Sequence, residues 1–304
     1  MGSVVGYPDL DCNNTDTMNP PLEYHRPAAL SEACELLLKL GPEAQVLAGG
    51  TDVLVDLRRG SHKPHHLVSL SDLDELKGIA SADGELRIGA LVTPAGLEDS
   101  EVVRSERPEL LDAVGVFGSP QVRNRATTGG NLCTAASCGD LAPLLIALGA
   151  RVGLTGPTGN REIPLREFFG DHRSSGLTAG EILVEVVVPA RVRGEGAAYE
   201  TFGLRAENFI TVAGVAAWLR LEEGVCREAR IALGAVAPTP VLVPEAEARL
   251  VGNAMDETTI REAALAARAA ALPISDVRGS ADHRRELVEA LCQRSLQVAL
   301  RRAR

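Results

Sequence analysis

With 304 residues, 45% hydrophobic and 24% charged, the chain has an ordinary globular composition and exceeds the usual size of one core, so two or three lobes are expected. A formal net charge of −10 argues against a nucleic-acid partner, which would call for a basic surface. The longest apolar stretches, 141–150 and 210–219, are too short or too interrupted to cross a bilayer, so no membrane span is expected.

Residues 1–20 are rich in Asp, Asn, Gly and Pro and lack the basic start and apolar core of a signal peptide. They are expected to form an N-terminal arm. Residues 27–40 carry Leu30, Cys34, Leu37 and Leu38 at helical spacing before Gly41-Pro42, which stops the helix. A short strand at 45–48 runs into Gly49-Gly50, and 53–59 suits a brief helix. Strands follow at 67–70, 76–80 and 85–90, the last two joined at Asp83-Gly84 as a hairpin. His62, His65 and His66 flank Lys63-Pro64, a surface-loop signal, and no metal site is expected there. A helix at about 108–117 precedes the polar run, and strands are expected at 151–155 and 181–188. No regular βαβ repetition is apparent in this part.

Residues 190–196 shift to Arg, Gly and Glu and mark a boundary. Beyond it, 197–202, 211–221 and 227–236 read as three strands of an antiparallel meander, broken by Pro238-Thr-Pro240. The Ala-, Leu- and Arg-rich segments 244–251, 257–271 and 281–302 read as helices. Three strands with packed helices make a small α+β lobe.

The segment Arg123-Asn-Arg-Ala-Thr-Thr-Gly-Gly-Asn-Leu-Cys-Thr-Ala-Ala-Ser-Cys-Gly-Asp140 holds few residues suited to helix interiors or strand centres. Its Gly129-Gly130 offers positive φ and close approach to a ligand, as does Gly49-Gly50 in Gln45-Val-Leu-Ala-Gly-Gly-Thr-Asp52. Two such turns, each beside hydroxyl and amide side chains, suit the two halves of a diphosphate held by main-chain amides. The alternative is a pair of plain tight turns. Neither G-x-x-x-x-G-K-[ST] nor G-x-G-x-x-G at a strand–helix junction is present. The six cysteines form no C-x-x-C pair. Cys133 and Cys138, the closest two, are expected to pack beside a cofactor rather than ligate a cluster, and free thiols fit a reducing cytoplasm.

The order Ala48-Gly-Gly-Thr-Asp52, then Thr128-Gly-Gly-Asn-Leu132, then Asp140 resembles the FAD-binding (medium) subunit of the molybdenum hydroxylase family. That family includes the aerobic carbon monoxide dehydrogenase medium chain and the xanthine dehydrogenase FAD domain. Tyr24-His-Arg-Pro27, Gly118-Ser-Pro-Gln-Val-Arg-Asn-Arg125, Glu181-Ile-Leu-Val-Glu-Val186 and Pro273-Ile-Ser-Asp-Val-Arg-Gly-Ser280 extend the likeness over nearly the whole chain after about residue 20.

The resemblance implies an α+β fold. A two-part FAD-binding lobe of the PCMH/vanillyl-alcohol-oxidase type (21–193, divided near 75) would precede a carbon-monoxide-dehydrogenase-flavoprotein-like domain (197–304). It implies non-covalent FAD held by Val46, Leu47, Ala48, Gly49, Gly50, Thr51, Asp52 and Val53 and by Thr127, Thr128, Gly129, Gly130 and Asn131. Phe117, Ile182 and Leu183 would lie near the flavin, and Asp140 would meet a hydroxyl or amine of the nucleotide; its other role is a helix N-cap. Where relatives carry a Lys that favours the reduced flavin, this chain has Thr201, leaving Arg123, Arg125 and Arg205 as candidate cations.

No catalytic triad or metalloprotease motif stands out, which fits chemistry residing in a cofactor. The resemblance places molybdopterin on a large partner subunit and [2Fe-2S] clusters on a small one, in a dimer of heterotrimers. Electrons would pass from those clusters through FAD to an external acceptor. A free-standing FAD oxidoreductase and a non-enzymatic assembly protein are the competing readings.

Overall fold

The computed structural model describes residues 22–304; the expected N-terminal arm and Cys12 lie outside the described residues. The chain begins with β1 (Glu23–His25), α1 (Leu30–Leu40), β2 (Ala44–Leu47), α2 (Val53–Arg59) and β3 (His66–Ser69). The strands form a parallel sheet in the order β1-β3-β2. This is a small βαβαβ unit, a repetition not expected from the sequence. Its strands are three or four residues long, too short for their patterning to announce a parallel sheet. The apolar stripe of α1, with Ala33, Cys34 and Leu37 buried, packs with Val68 and Leu70.

The next part holds β4 (Ile79–Ala82), β5 (Glu85–Gly89), α3 (Pro94–Asp99), α4 (Glu101–Glu106), α5 (Leu110–Val116), α6 (Pro120–Arg123), α7 (Thr128–Thr134), α8 (Leu141–Ala147), β6 (Arg151–Gly156), β7 (Gly159–Pro164) and β8 (Ile182–Val188). Its five strands pair antiparallel in the order β4-β5-β8-β6-β7. Strand β8, at the centre, is Val-rich and buried along most of its length. Every residue of α8 is buried.

The C-terminal part contains β9 (Glu195–Phe202), β10 (Ala213–Glu222), β11 (Val225–Gly234), β12 (Val241–Leu242), α9 (Pro244–Leu250), α10 (Glu257–Ala270) and α11 (Ala281–Ala303). Its antiparallel sheet has four strands, in the order β12-β11-β10-β9, where three were expected. The fourth is two residues long and directly follows Pro240, so the proline that reads as a break instead leads into an edge strand, where a missing N–H is tolerated. Helix α11 packs on β9 and β10 and α9 on β11, and α10 packs against both helices, through small side chains such as Ala263, Ala264, Ala267, Ser295 and Ala299.

Candidate functional site

The first turn follows β2, and of its two glycines only Gly50 has a positive φ, +78°. Its role is conformational. Gly49 serves close approach, because a Cβ there would overlap the carbonyl oxygen of Arg125, just before the second turn. Thr134 Oγ1 lies 2.9 Å from the carbonyl oxygen of Gly130 and 3.2 Å from Asp52 Oδ2, so its one proton is shared between the two acceptors and ties the turns together.

The second Gly-Gly is not a positive-φ turn. It forms the start of α7, whose N-cap Thr127 accepts a bond from Gly130 N at 3.1 Å. A Cβ at Gly129 would meet Ala90, and one at Gly130 would stand 2.7 Å from Thr127 Oγ1, so both glycines answer crowding.

The two turns differ in their free donors. Thr128 N bonds Val92 O and Gly129 N bonds Ala90 O, both at 2.8 Å, while Asn131 N bonds Thr127 O at 2.9 Å. With Gly130 N also bonded, the second turn's amides at 128–131 are all occupied. Among the described residues, the amides of Gly49, Gly50, Thr51, Asp52 and Val53 find no hydrogen-bond acceptor. Consecutive free N–H groups of this kind form an anion-binding concavity. The two turns are therefore not the symmetrical pair expected from the sequence: the first leaves its amides unpaired, and the second is close-packed with its amides bonded.

These turns open on a cleft of about 340 Å³, within the ~300–1,000 Å³ range of small-molecule and cofactor sites. Val46, Ala48, Gly49, Gly50, Thr51, Asp52 and Val53 line it from one side, and Thr127, Gly129, Gly130 and Asn131 from the other. Phe117, Ile182 and Leu183 contribute an apolar wall together with Leu70 and Leu91. Asn131 Oδ1 is buried with no partner. An orphaned acceptor costs about 1–3 kcal/mol, so this oxygen stands without the partner a buried polar atom ordinarily has.

Leu47, Thr128 and Asp140 do not line the cleft. Thr128 Oγ1 donates to Val92 O at 3.0 Å, inside the fold. Asp140 is the N-cap residue of α8 but makes no capping bond. Its Oδ1 instead accepts from Thr211 Oγ1 at 2.6 Å and Tyr199 Oη at 3.5 Å, across the junction with the C-terminal sheet. Burial pushes its carboxyl up to about 7, against the lowering influence of those two bonds.

Sequence reasoning passes over Gln45, Ala90, Ala126, Thr134, Ser175, Leu177 and Glu181, which also line the cleft; of the two cysteines expected beside a cofactor, Cys133 lines it and Cys138 does not. Cys133 and Thr134 sit about one turn beyond Gly129-Gly130, a placement that becomes visible once the segment is seen as a helix. Burial pushes the Cys133 thiol up to about 12, leaving it an inert small side chain. Glu181 is held near about 2 by Arg161, which bonds it through Nε at 2.7 Å and Nη2 at 2.8 Å.

No lysine or arginine side chain lines the cleft among the described residues. Thr201 sits in β9 opposite Gly214. Arg123 bonds Phe117 O at 3.3 Å, Arg205 bonds Asn208 O at 2.6 Å, and Arg125 is exposed.

Comparison with known proteins gives consistent matches. Residues 18–191 match the FAD-binding domain in molybdopterin dehydrogenase, and residues 197–299 match the carbon monoxide dehydrogenase flavoprotein C-terminal domain. The chain is 35% identical to the carbon monoxide dehydrogenase medium chain of Hydrogenophaga pseudoflava, over 92% of this chain and 97% of that one. It is 33% identical to the xanthine dehydrogenase FAD-binding subunit of Escherichia coli O157:H7, over 91% and 95%. A chain of the solved carbon monoxide dehydrogenase from Hydrogenophaga pseudoflava, lacking the Mo-pyranopterin moiety, superposes with a TM-score of 0.91 over 94% of this chain and 99% of that one, at 35% identity.

Proposed function

Since the chain belongs to the family of FAD-binding subunits of molybdopterin dehydrogenases, we propose that it carries FAD in the turn-lined cleft and passes electrons within a molybdenum hydroxylase complex. The observation that carries this reading is the run of five free amides at Gly49–Val53, in residues that line a cleft shared with the apolar Phe117, Ile182 and Leu183. The amides suit a diphosphate, and the wall of Phe117, Ile182 and Leu183 suits a flat aromatic ring system and keeps water from it. Val46, Ala48, Thr127, Gly129 and Gly130 shape the cleft, and Asn131 supplies the acceptor for a nucleotide or ring donor. Leu47 and Thr128 act from behind as supports. Asp140 acts as a positioning residue that joins α8 to β9 and the segment before β10.

When bound, FAD supplies two-electron storage that can be filled and emptied one electron at a time. The chain's own contribution is binding, orientation and charge. Glu181 is neutralised by its pairing with Arg161, so Asp52 is the acidic side chain at the cleft with no bonded cation, and it weighs against added negative charge nearby.

The substrate is oxidised at a molybdopterin centre on a large partner subunit, and electrons arrive through [2Fe-2S] clusters of a small one. A dimer of such heterotrimers in the cytoplasm is the assembly we infer. Five free cysteines among the described residues support a reducing compartment, and no helix among the described residues is long and apolar enough to cross a membrane. Relatives of comparable identity act in carbon monoxide and xanthine dehydrogenases, so the substrate is set by the partner. We divide the chain into a flavin-binding part (21–193) and a C-terminal domain (197–304).

The test is purification of the tagged chain from its native host. The expected result is a yellow protein with oxidised-flavin absorption that brings with it a large molybdopterin chain and a small iron–sulfur chain. A flavin-loaded chain that turns over substrate alone would establish a free-standing oxidoreductase. Failure to bind added FAD would leave an assembly role.

A further inference from the structure

Glu23 and His25 alternate along β1, so their side chains leave the same face of the strand. Glu23 stands opposite His66 in the parallel β1–β3 pairing, which brings all three side chains to one face at the sheet edge. His25 Nε2 lies 3.1 Å from His66 Nδ1. Glu23 Oε2 lies 3.3 Å from His66 Nδ1 and 3.8 Å from His25 Nε2. An ion bound tetrahedrally through bonds of about 2.0–2.1 Å has ligand atoms about 3.3–3.4 Å apart. The three observed edges bracket that value.

No other group of three metal-ligating side chains converges in this way among the described residues. The trio of nearby histidines in sequence does not assemble as such: His65 turns to Glu43, with Nδ1 3.6 Å from its carboxylate. His66 instead joins His25, which lies 41 positions away in the chain.

Without an ion, the arrangement is poorly matched. With one of the facing ring nitrogens protonated, its single proton can bond either the other imidazole or the carboxylate well, and the remaining acceptor is left to water. A cation satisfies all three at once. Two imidazoles and one carboxylate favour zinc, nickel or copper over calcium and magnesium, which prefer oxygen. The side chains of His25 and His66 are 25% and 16% exposed, while Glu23 is 62% exposed. The fourth position therefore opens to water.

We propose that Glu23, His25 and His66 form a binding site for one divalent transition-metal ion of the zinc type, completed by water. The ion clips the three-residue edge strand β1 to β3. Because β3 also pairs with β2, which leads into the first turn, the clip steadies the sheet that presents the unpaired amides of that turn.

The test uses the full chain carrying no histidine tag, stripped with chelator and titrated calorimetrically with zinc chloride, with magnesium and calcium chloride as controls. Cobalt(II) is titrated in parallel, its visible bands reporting tetrahedral ligation. One equivalent of zinc is expected to bind at about micromolar affinity or tighter, with no saturable response to magnesium or calcium. His25→Asn and His66→Asn should each weaken binding at least about tenfold, the scale on which even outer-shell contacts act. His65→Asn should leave binding unchanged. Circular dichroism checks folding, and the exposed Glu23→Gln provides a further weakening variant if either histidine change unfolds the chain. Absence of saturable one-equivalent binding, or unchanged affinity in the folded ligand variants, would overturn the proposal.

Discussion

Gly49 lets the two turns touch, since any side chain there would run into the Arg125 carbonyl. Gly49→Ala is expected to push the first turn away from the second, at a cost of about 1–3 kcal/mol for overpacking, and to release FAD. Denaturant melts and the flavin content of the purified protein measure the two effects. Asn131 presents the opposite case, because its buried Oδ1 has no partner before a ligand arrives. Asn131→Ala should therefore leave cofactor-free stability unchanged or raise it, by up to about 1–3 kcal/mol. FAD affinity, read by fluorescence titration, should fall at least about tenfold, or about 1.4 kcal/mol. Asp140 makes a prediction in pH. Its carboxyl titrates at about 7 when folded because burial disfavours the charge, but near about 3.9 when unfolded. Between those values the folded state holds a proton that the unfolded state has lost. Its contribution is thus fully present below about pH 4, declines as pH rises to about 7, and is level above. Asp140→Asn is neutral throughout and should lack this decline. Relative to the parent chain, its stability should improve steadily across the window, by up to a few kcal/mol in total, since a proton held by one state alone is worth about 1.4 kcal/mol for each step of one in pH. A constant difference between the two chains from about pH 4 to about pH 7 would refute this account.

At the end of α4, Arg107 gathers three elements around one buried guanidinium. It bonds Glu109 at 3.1 Å, Glu195 in β9, and the Pro189 carbonyl just beyond β8 through Nε at 3.1 Å. Trp218 Nε1 donates to the other oxygen of Glu195 at 3.1 Å, and Arg230 stacks over the Trp218 ring at 4.0 Å. Arg107→Met would leave two buried carboxylates without their cation, and the expected loss is about 3–5 kcal/mol in a urea melt. Adding Glu195→Gln should recover part of it, because the two changes share one network. None of this was legible in the sequence: Glu195 lies in a stretch that reads as linker, and Arg107 between segments with no strong period. What was legible has strong local patterning. Helix α2 has the bounds expected for it, and α10, α11 and β9–β11 lie within a few residues of theirs. Short elements such as β7, β12, α3 and α4 escape because so few residues establish no period. At the site, both Gly-Gly pairs were visible, but not their different roles. Whether an amide is free depends on partners such as Val92 and Ala90, which are brought in by the tertiary fold.

The parts of this molecule share a core rather than merely touching. One continuous apolar cluster runs from Leu86 and Leu97 through α8 to Tyr199, Ala216, Trp218 and Ala232 of the C-terminal sheet. Helix α8 packs against β10 and β11 as well as α5 and α7. Around this core, Arg302 of α11 reaches Asp112 of α5 at 2.6 and 2.9 Å, and Thr211 reaches Asp140. A fragment ending at Arg193 would expose the C-terminal-facing side of α8 and leave Arg107 without Glu195, so it is expected to aggregate rather than fold. The full chain should melt in one calorimetric transition whose van't Hoff and calorimetric enthalpies agree, despite its length. Excess FAD should raise that transition as a whole, by about 2.7 kcal/mol at about a hundred times Kd. Trp218 is the chain's single tryptophan and sits in the shared core, away from the cleft. The wavelength of its emission therefore reports the junction, whereas its intensity also responds to bound flavin, which absorbs where tryptophan emits. If the core couples the parts, the Trp218 emission wavelength and flavin release change at the same denaturant concentration. Flavin release at clearly lower denaturant, with Trp218 unchanged, would mean that the cleft opens while the junction stays intact, and that the shared core does not transmit cofactor binding.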